Sequence, residues 1–194
     1  MAWTAPTQRT TGTLITAAIY NTDLVDNFTF LGVNHDHSGD AGDGGNLVRS
    51  QWVSPQYVSG TGAVLRDINV DLPAARLVNN QDDKVQFSFR LPTPSDAITK
   101  AVIVFMALAT GNLYRATDVE FGAAGEAAGG ASGASAALAV TANQYAEEDI
   151  SSALSGQAVA AGDVVGVGWN RNATNALDTA EGDVLVFGLL IEWR

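Results

Sequence analysis

The chain has 194 residues, of which 46% are apolar, 16% are charged and none is cysteine. That is enough for one β-domain of sandwich size plus a small appendage, and it excludes a disulfide framework or a cysteine-based zinc site. A formal net charge of −11 argues against nucleic acid and anionic membrane surfaces as partners, because affinity for phosphates depends on cationic side chains. No run reaches the roughly 20 apolar residues that membrane insertion needs, and the opening Met-Ala-Trp-Thr-Ala-Pro-Thr has no signal-peptide pattern. A protein made in a cytoplasm is expected.

In chain order, residues 1–12 read as extended. The next stretch carries the one clear helical pattern. Leu14, Ala17, Asn21, Leu24, Phe28 and Leu31 follow one another at spacings of 3, 4, 3, 4 and 3, which is the seam of a heptad repeat. Thr13 or Thr16 can cap its start, and Gly32 follows its end. A helix this short must pack on something: its own β-domain, copies of itself, or a larger assembly. Asn21 sits at an a position of the seam, where a buried Asn fixes register and oligomer state; on a helix packed within one chain it would instead face solvent. The seam residues are therefore the candidate oligomerisation set.

Residues 34–45, Asn-His-Asp-His-Ser-Gly-Asp-Ala-Gly-Asp-Gly-Gly, form a polar hinge that holds both histidines. In an extended backbone His35 and His37 point to the same side. Two imidazoles do not close a metal site. Three chains around a threefold axis would supply six, a complete octahedral nitrogen set suited to a metal such as iron or nickel. Asp36, Asp40 and Asp43 could then orient the rings. The alternative is a solvated polar turn. Residues 46–62 read as an irregular arm or a short edge strand.

From residue 63 onward the pattern is β. Segments 64–70, 85–91, 98–108, 113–121 and 137–145 alternate or run apolar, as do two Gly-Asp-initiated segments after Asp163 and Asp183. Residues 122–137, built of Ala, Gly and Ser with one Glu126, read as a flexible hairpin loop. Strands at this spacing predict an antiparallel sandwich of jelly-roll type. The expected divisions are thus 1–33 (arm and helix), 34–62 (hinge and arm) and 63–194 (sandwich).

Catalytic patterns are weak. The only histidines precede the main domain, and no Gly-x-Ser-x-Gly elbow or phosphate loop occurs. Glu147-Glu148-Asp149 and Asp82-Asp83 are adjacent acids, which alternate faces on a strand; a solvated charge run is the expectation. Phe87, Phe89, Phe105, Phe187 and Trp169 fall on strand patterns and are candidate core. Trp52, Tyr57 and Trp193 are candidates for subunit contacts. No enzymatic activity is expected.

The N-terminal third resembles virion proteins of tailed bacteriophages. The residues that carry the likeness are Trp3, the run Thr11-Gly12-Thr13-Leu14-Ile15-Thr16-Ala17-Ala18-Ile19-Tyr20-Asn21, then Asp26-Asn27 and Leu31. His35-Asp36-His37-Ser38-Gly39-Asp40 looks like the His-x-His motifs of phage tail fibres, and residues 181–192 look like the closing strands of phage jelly-roll domains. The resemblance implies a non-enzymatic structural component of the virion: a homotrimeric fibre, spike or decoration protein, in contact with capsid, neck or tail proteins. It also implies a metal ion held on the trimer axis by His35 and His37. A single His-x-His and the lack of a long repetitive shaft favour a compact knob over a long fibre. The alternative is a lectin-like module that binds a host surface glycan.

Overall fold

A computed structural model describes residues 48–68, 72–93 and 97–194. The compact unit Arg49–Arg194 contains all the elements below. The seam residues Leu14, Ala17, Asn21, Leu24, Phe28 and Leu31, and the histidines His35 and His37, lie outside the described residues.

The unit is a β-sandwich of two antiparallel sheets. The strands are β1 (Arg49–Val53), β2 (Tyr57–Ser59), β3 (Val64–Ile68), β4 (Leu72–Leu77), β5 (Asp82–Arg90) and β6 (Ile98–Ala107). They continue with β7 (Gly111–Gly122), β8 (Gly129–Ser132), β9 (Ala136–Val140) and β10 (Tyr145–Asp149). A single-turn helix α1 (Ser151–Ser155) precedes β11 (Val164–Asn172) and β12 (Val184–Trp193). Sheet A runs β10-β6-β12-β4-β3, with β1 also on β12; sheet B runs β2-β5-β11-β7-β8, with β9 also on β7. Strands β4, β6, β10 and β12 thus fall in one sheet and β5, β7, β8/β9 and β11 in the other. This is the jelly-roll alternation that the spacing of the strands predicts.

Each strand's alternation sets which side faces the other sheet. On β5, Val85, Phe87 and Phe89 are buried and Gln86 and Ser88 are not. On β11, Val165, Val167 and Trp169 point inward. Sheet A answers with Ile103, Phe105, Val184, Val186, Leu189 and Ile191. Phe105 and Trp169 meet across the sandwich with ring centroids 5.2 Å apart, an aromatic pair worth about 0.5–1.5 kcal/mol beyond its buried area. Trp193 is 7% exposed and belongs to this core, so the expectation that it is available for subunit contacts is corrected.

Of the expected alternatives for residues 46–62, the described part takes the short edge strand, twice: β1 in sheet A and β2 in sheet B, joined by Ser54-Pro55-Gln56. Two other stretches differ from their expected form. Residues 122–137 are not simply a loop: β8 pairs with Asp118–Phe121, while β9 pairs with Gly111–Arg115 of the same strand β7. Small residues permit this. A Cβ on Gly130 would stand 2.4 Å from the Val119 carbonyl oxygen, and one on Gly133 2.6 Å from that of Thr117. Finally, the acid runs are not uniformly solvated. Glu148 is buried, accepts a 2.7 Å hydrogen bond from Trp169 Nε1, and pairs with Arg115. It joins sheet A to β7 and β11 of sheet B. Asp83 is also buried, accepting the Val78 amide at 2.7 Å. Its other oxygen lies where a side chain on Gly60 (φ +123°) would stand, so that turn admits only glycine.

The long crossover from β11 to β12 is held by one fully buried cation. Arg171 forms a bidentate pair with Asp178 at 2.9 and 3.0 Å, and donates to the Gly182 and Ala180 carbonyls at 2.7 and 2.6 Å. Asp178 also accepts the Tyr114 amide at 3.0 Å. Removing one partner of such a pair leaves an uncompensated charge in the core. Asp178→Ala should therefore cost roughly 3–5 kcal/mol, read as a lower midpoint in urea unfolding with an unchanged slope.

Candidate functional site

The outward face of sheet B carries the candidate site. On β11 the outward positions between the buried Val165, Val167 and Trp169 are Gly166 and Gly168. They leave a groove along the strand, with β5 as one wall and β7 as the other. The register fixes the composition of each row across it. Tyr57, Gln86, Gly168, Asp118 and Ser132 stand side by side on five strands. Ser88, Gly166, Glu120 and Gly130 form the next row, and Ser59, Lys84, Asn170 and Ala116 the one on the other side. Three hollows of about 110, 490 and 230 Å³ open on this face, and Lys84 borders all of them.

A lysine–carboxylate bridge crosses the floor. The Lys84 stem passes over Gly168, where a Cβ would lie 2.2 Å from Lys84 Cε. Its ammonium group donates to Asp118 Oδ2 at 3.0 Å, and Asn170 Nδ2 donates to the same oxygen at 2.6 Å. Burial pushes the Asp118 carboxyl up, but the hydrogen bonds from Lys84 and Asn170 and the charge of Lys84 outweigh it, holding Asp118 below the ordinary aspartate range. On the β5 side, Gln56 donates to the Ser88 carbonyl at 2.8 Å and accepts from the Ser88 hydroxyl. Tyr57 stands 57% exposed at the rim.

Chemically this is a shallow polar channel with donors and acceptors interleaved. Asp118 and Glu120 are two residues apart on one face of β7, on the order of 7 Å along the strand. They occupy the same wall, whereas the facing wall offers Lys84 and Gln86. A carboxylate pair that works as acid and base on a glycosidic bond flanks the bond from two sides, and a general acid needs a raised pKa; Asp118 has the opposite. Among the described residues no group of three His, Cys, Asp or Glu converges as a metal site, and no helix is long and apolar enough to cross a membrane.

Of the side chains singled out by sequence, Tyr57 borders this face and Trp52 lies on the opposite face of the sandwich, 49% exposed. Glu148 and Asp83 are structural, and Asp82 accepts from the Thr174 hydroxyl and amide at 2.8 and 3.1 Å in a turn. Lys84, Gln86, Asp118, Glu120 and Asn170 were not expected as a group. The signal for them is the run Val165-Gly166-Val167-Gly168-Trp169: a central strand with glycine at each outward position marks a bare strip that flanking side chains will line.

No family model matches the chain, and no curated protein matches it. Solved structures with a similar arrangement include a family 35 carbohydrate-binding module from Clostridium thermocellum. It has 10% identity and a TM-score of 0.44, over 74% of this chain and 97% of that one. TmCBM61 in complex with β-1,4-galactotriose matches at 9% identity and a TM-score of 0.39, over 71% and 88% of the two chains. The enzymatically active domain of tailspike protein 4 of bacteriophage CBA120 matches at 8% and 0.37, over 82% of this chain and 20% of that one.

Because Asp118 is more acidic folded than unfolded, its contacts stabilise the sandwich in full above the ordinary aspartate pKa of about 3.9. That stabilisation is lost as pH falls through the depressed folded value. The melting-temperature difference between the wild type and Asp118→Asn should hold constant from neutral pH to about 5 and shrink below about 4. Thermal melts of both proteins across that range read it directly.

Proposed function

We propose that the sandwich is a non-catalytic glycan-binding module. The observation that supports this reading is the glycine-floored groove on sheet B, with Lys84, Gln86 and Asn170 as donors beside Asp118 and Glu120 as acceptors. A sugar presents hydroxyls that both donate and accept around its rim. Matching it takes alternating donors and acceptors on a surface that the ring can approach closely, which the bare position at Gly166, beside the Lys84 stem over Gly168, provides. One lysine already engaged by Asp118 stands against two carboxylates, so neutral or amino sugars fit better than uronate or sulfated ones.

The likeness of Trp3, Thr11–Asn21, Asp26, Asn27 and Leu31 to phage virion proteins supports a second, compatible reading. The sandwich would then be displayed from a phage particle, with attachment to a host surface glycan as its task. In that reading three chains associate through Leu14, Ala17, Asn21, Leu24, Phe28 and Leu31, and His35 and His37 of each chain supply six imidazoles to one iron-like ion.

A glycan microarray probed with the full chain should return neutral or amino-sugar ligands and few acidic ones. For the best ligand, calorimetric titration should show Lys84→Ala and Gln86→Ala weakening binding by roughly 10- to 100-fold each, as expected for the loss of a hydrogen bond to a charged or well-placed partner. An empty array would end the glycan reading. For the trimer, light scattering at micromolar concentration should give three chains, with one metal per three by elemental analysis. His35→Ala with His37→Ala should abolish the metal. A monodisperse monomer counts decisively against it.

A further inference from the structure

The outward face of sheet A contrasts with the groove: two exposed aromatic rings stand over a small apolar cluster, with Arg76 beside Leu185 and paired with Asp183. A β-bulge lies on β12, where Val186 pairs with Phe105 and Gly188 with Val104, so Phe187 is the extra residue. Two exposed rings converge on this bulge from opposite edges of the sheet. Trp52, on β1, lies flat over Gly188; a Cβ there would be 2.2 Å from the ring. Tyr145, on β10, packs on Phe187 with centroids 5.1 Å apart. Trp52 is 49% and Tyr145 66% exposed. One ring face is thus seated on the protein and the rest is open to solvent. Beneath the rings, Phe187, Leu185 and Ala74 are buried in a small apolar cluster, with Val104 and Met106 half-buried beside it.

The polar rim is acidic. Glu147 and Asp149 stand on β10 opposite Val104 and Val102, and Glu192 stands on β12 opposite Lys100. The Asp149 carboxyl is held below the ordinary range by hydrogen bonds from the Ser151 side chain and amide, so it is an acceptor at neutral pH. Lys100 is 4.0 Å from Glu192. A second copy of this chain would bring the same carboxylates against one another. A neutral sugar chain offers hydroxyl donors for these carboxylate acceptors, together with a flat C–H face to lie against a ring.

We propose that this face is a second glycan-binding site, a platform for a neutral chain of pyranoses with all-equatorial hydroxyls, stacked on Trp52 and Tyr145. Such sugars carry their C–H bonds on the two flat faces and their hydroxyls round the edge, which is the pattern of rings and rim seen here. The platform shares the glycan-binding reading of the groove but uses none of its residues, so each can fail alone.

The test uses cellohexaose and chitohexaose with the full chain, followed by intrinsic tryptophan fluorescence and calorimetry. Trp52→Ala and Tyr145→Ala should each weaken binding by about ten-fold or more, while Lys84→Ala leaves the residual platform binding in place. Trp52→Phe should restore part of the loss. Gly188→Ala, which lifts the Trp52 ring without removing it, should weaken binding with the fold intact by circular dichroism. Binding lost with Lys84→Ala but untouched by Trp52→Ala and Tyr145→Ala overturns the platform and leaves the groove. Binding sensitive only to the aromatic variants supports the platform and removes the groove. Neither hexasaccharide binding, or capture of a basic protein in place of a glycan, overturns the platform whatever the groove does.

Discussion

Arg171 is charged, fully buried and satisfied on every side that the geometry requires. Its guanidinium meets Asp178 bidentately and also holds two carbonyls of the segment leading into β12. Burying both charges is expensive, and the pair is tolerated because nearly every polar atom finds a partner. In return the network fixes a crossover that the hydrophobic effect cannot fix, since residues 174–179 contribute little apolar surface. Asp178 reaches β7 through the Tyr114 amide, so one ion pair joins β11, β7 and the entry to β12. A second buried network, Glu148 with Trp169 and Arg115, ties the sheets together at the β10 edge. Nondirectional packing makes the sandwich compact; these two polar points decide how its halves are placed.

With the sheets placed, the two outward faces acquire different characters from the strands at their centres. β11 alternates large inward residues with outward glycines and presents a polar trough. β12 is apolar on both sides, interrupted by a bulge at Phe187 and Gly188, and its outward residues are buried beneath two exposed aromatic rings. The same jelly roll therefore carries a channel on one side and an aromatic-capped apolar patch on the other. Neither face requires an acid–base pair: the carboxylates in the channel stand on one wall, and those on the platform stand at its rim.

Much of the sandwich was legible from alternation and apolar runs. The strands around Val85–Leu91, Ile98–Ala107 and Val184–Leu189 announce themselves because one or both faces are buried. β4 was not legible: Leu72-Pro73-Ala74-Ala75-Arg76-Leu77 has a proline and small residues, and it is a strand because β3 and β12 flank it. β8 was missed for a related reason. Its glycines read as breakers locally, yet they are what allows the chain to lie against β7. Glu148 looked like surface charge because its partners, Trp169 and Arg115, are far away in sequence, and Asp83 because nothing local shows that its side chain turns in to accept the Val78 amide beside the Gly60 turn. The groove was only half legible. The Val-Gly alternation marks the floor, but pairing Lys84 with Asp118 requires the register across β11. Trp52 could be read as exposed, though not as lying on Gly188.

The order of strands along the chain has a consequence for how the molecule comes into being. β11 is the strand that joins β2 and β5 to β7, β8 and β9, and β12 is the strand that joins β6 and β10 to β4, β3 and β1. As the polypeptide leaves the ribosome, sheet B cannot close before residue 172, nor sheet A before residue 193. Until then the nascent chain holds hairpins and pairs with open, hydrogen-bonding edges. Such non-local pairing is slow and leaves those edges available to other chains. The last two strands in the chain are thus the ones that stand at the centres of the two sheets.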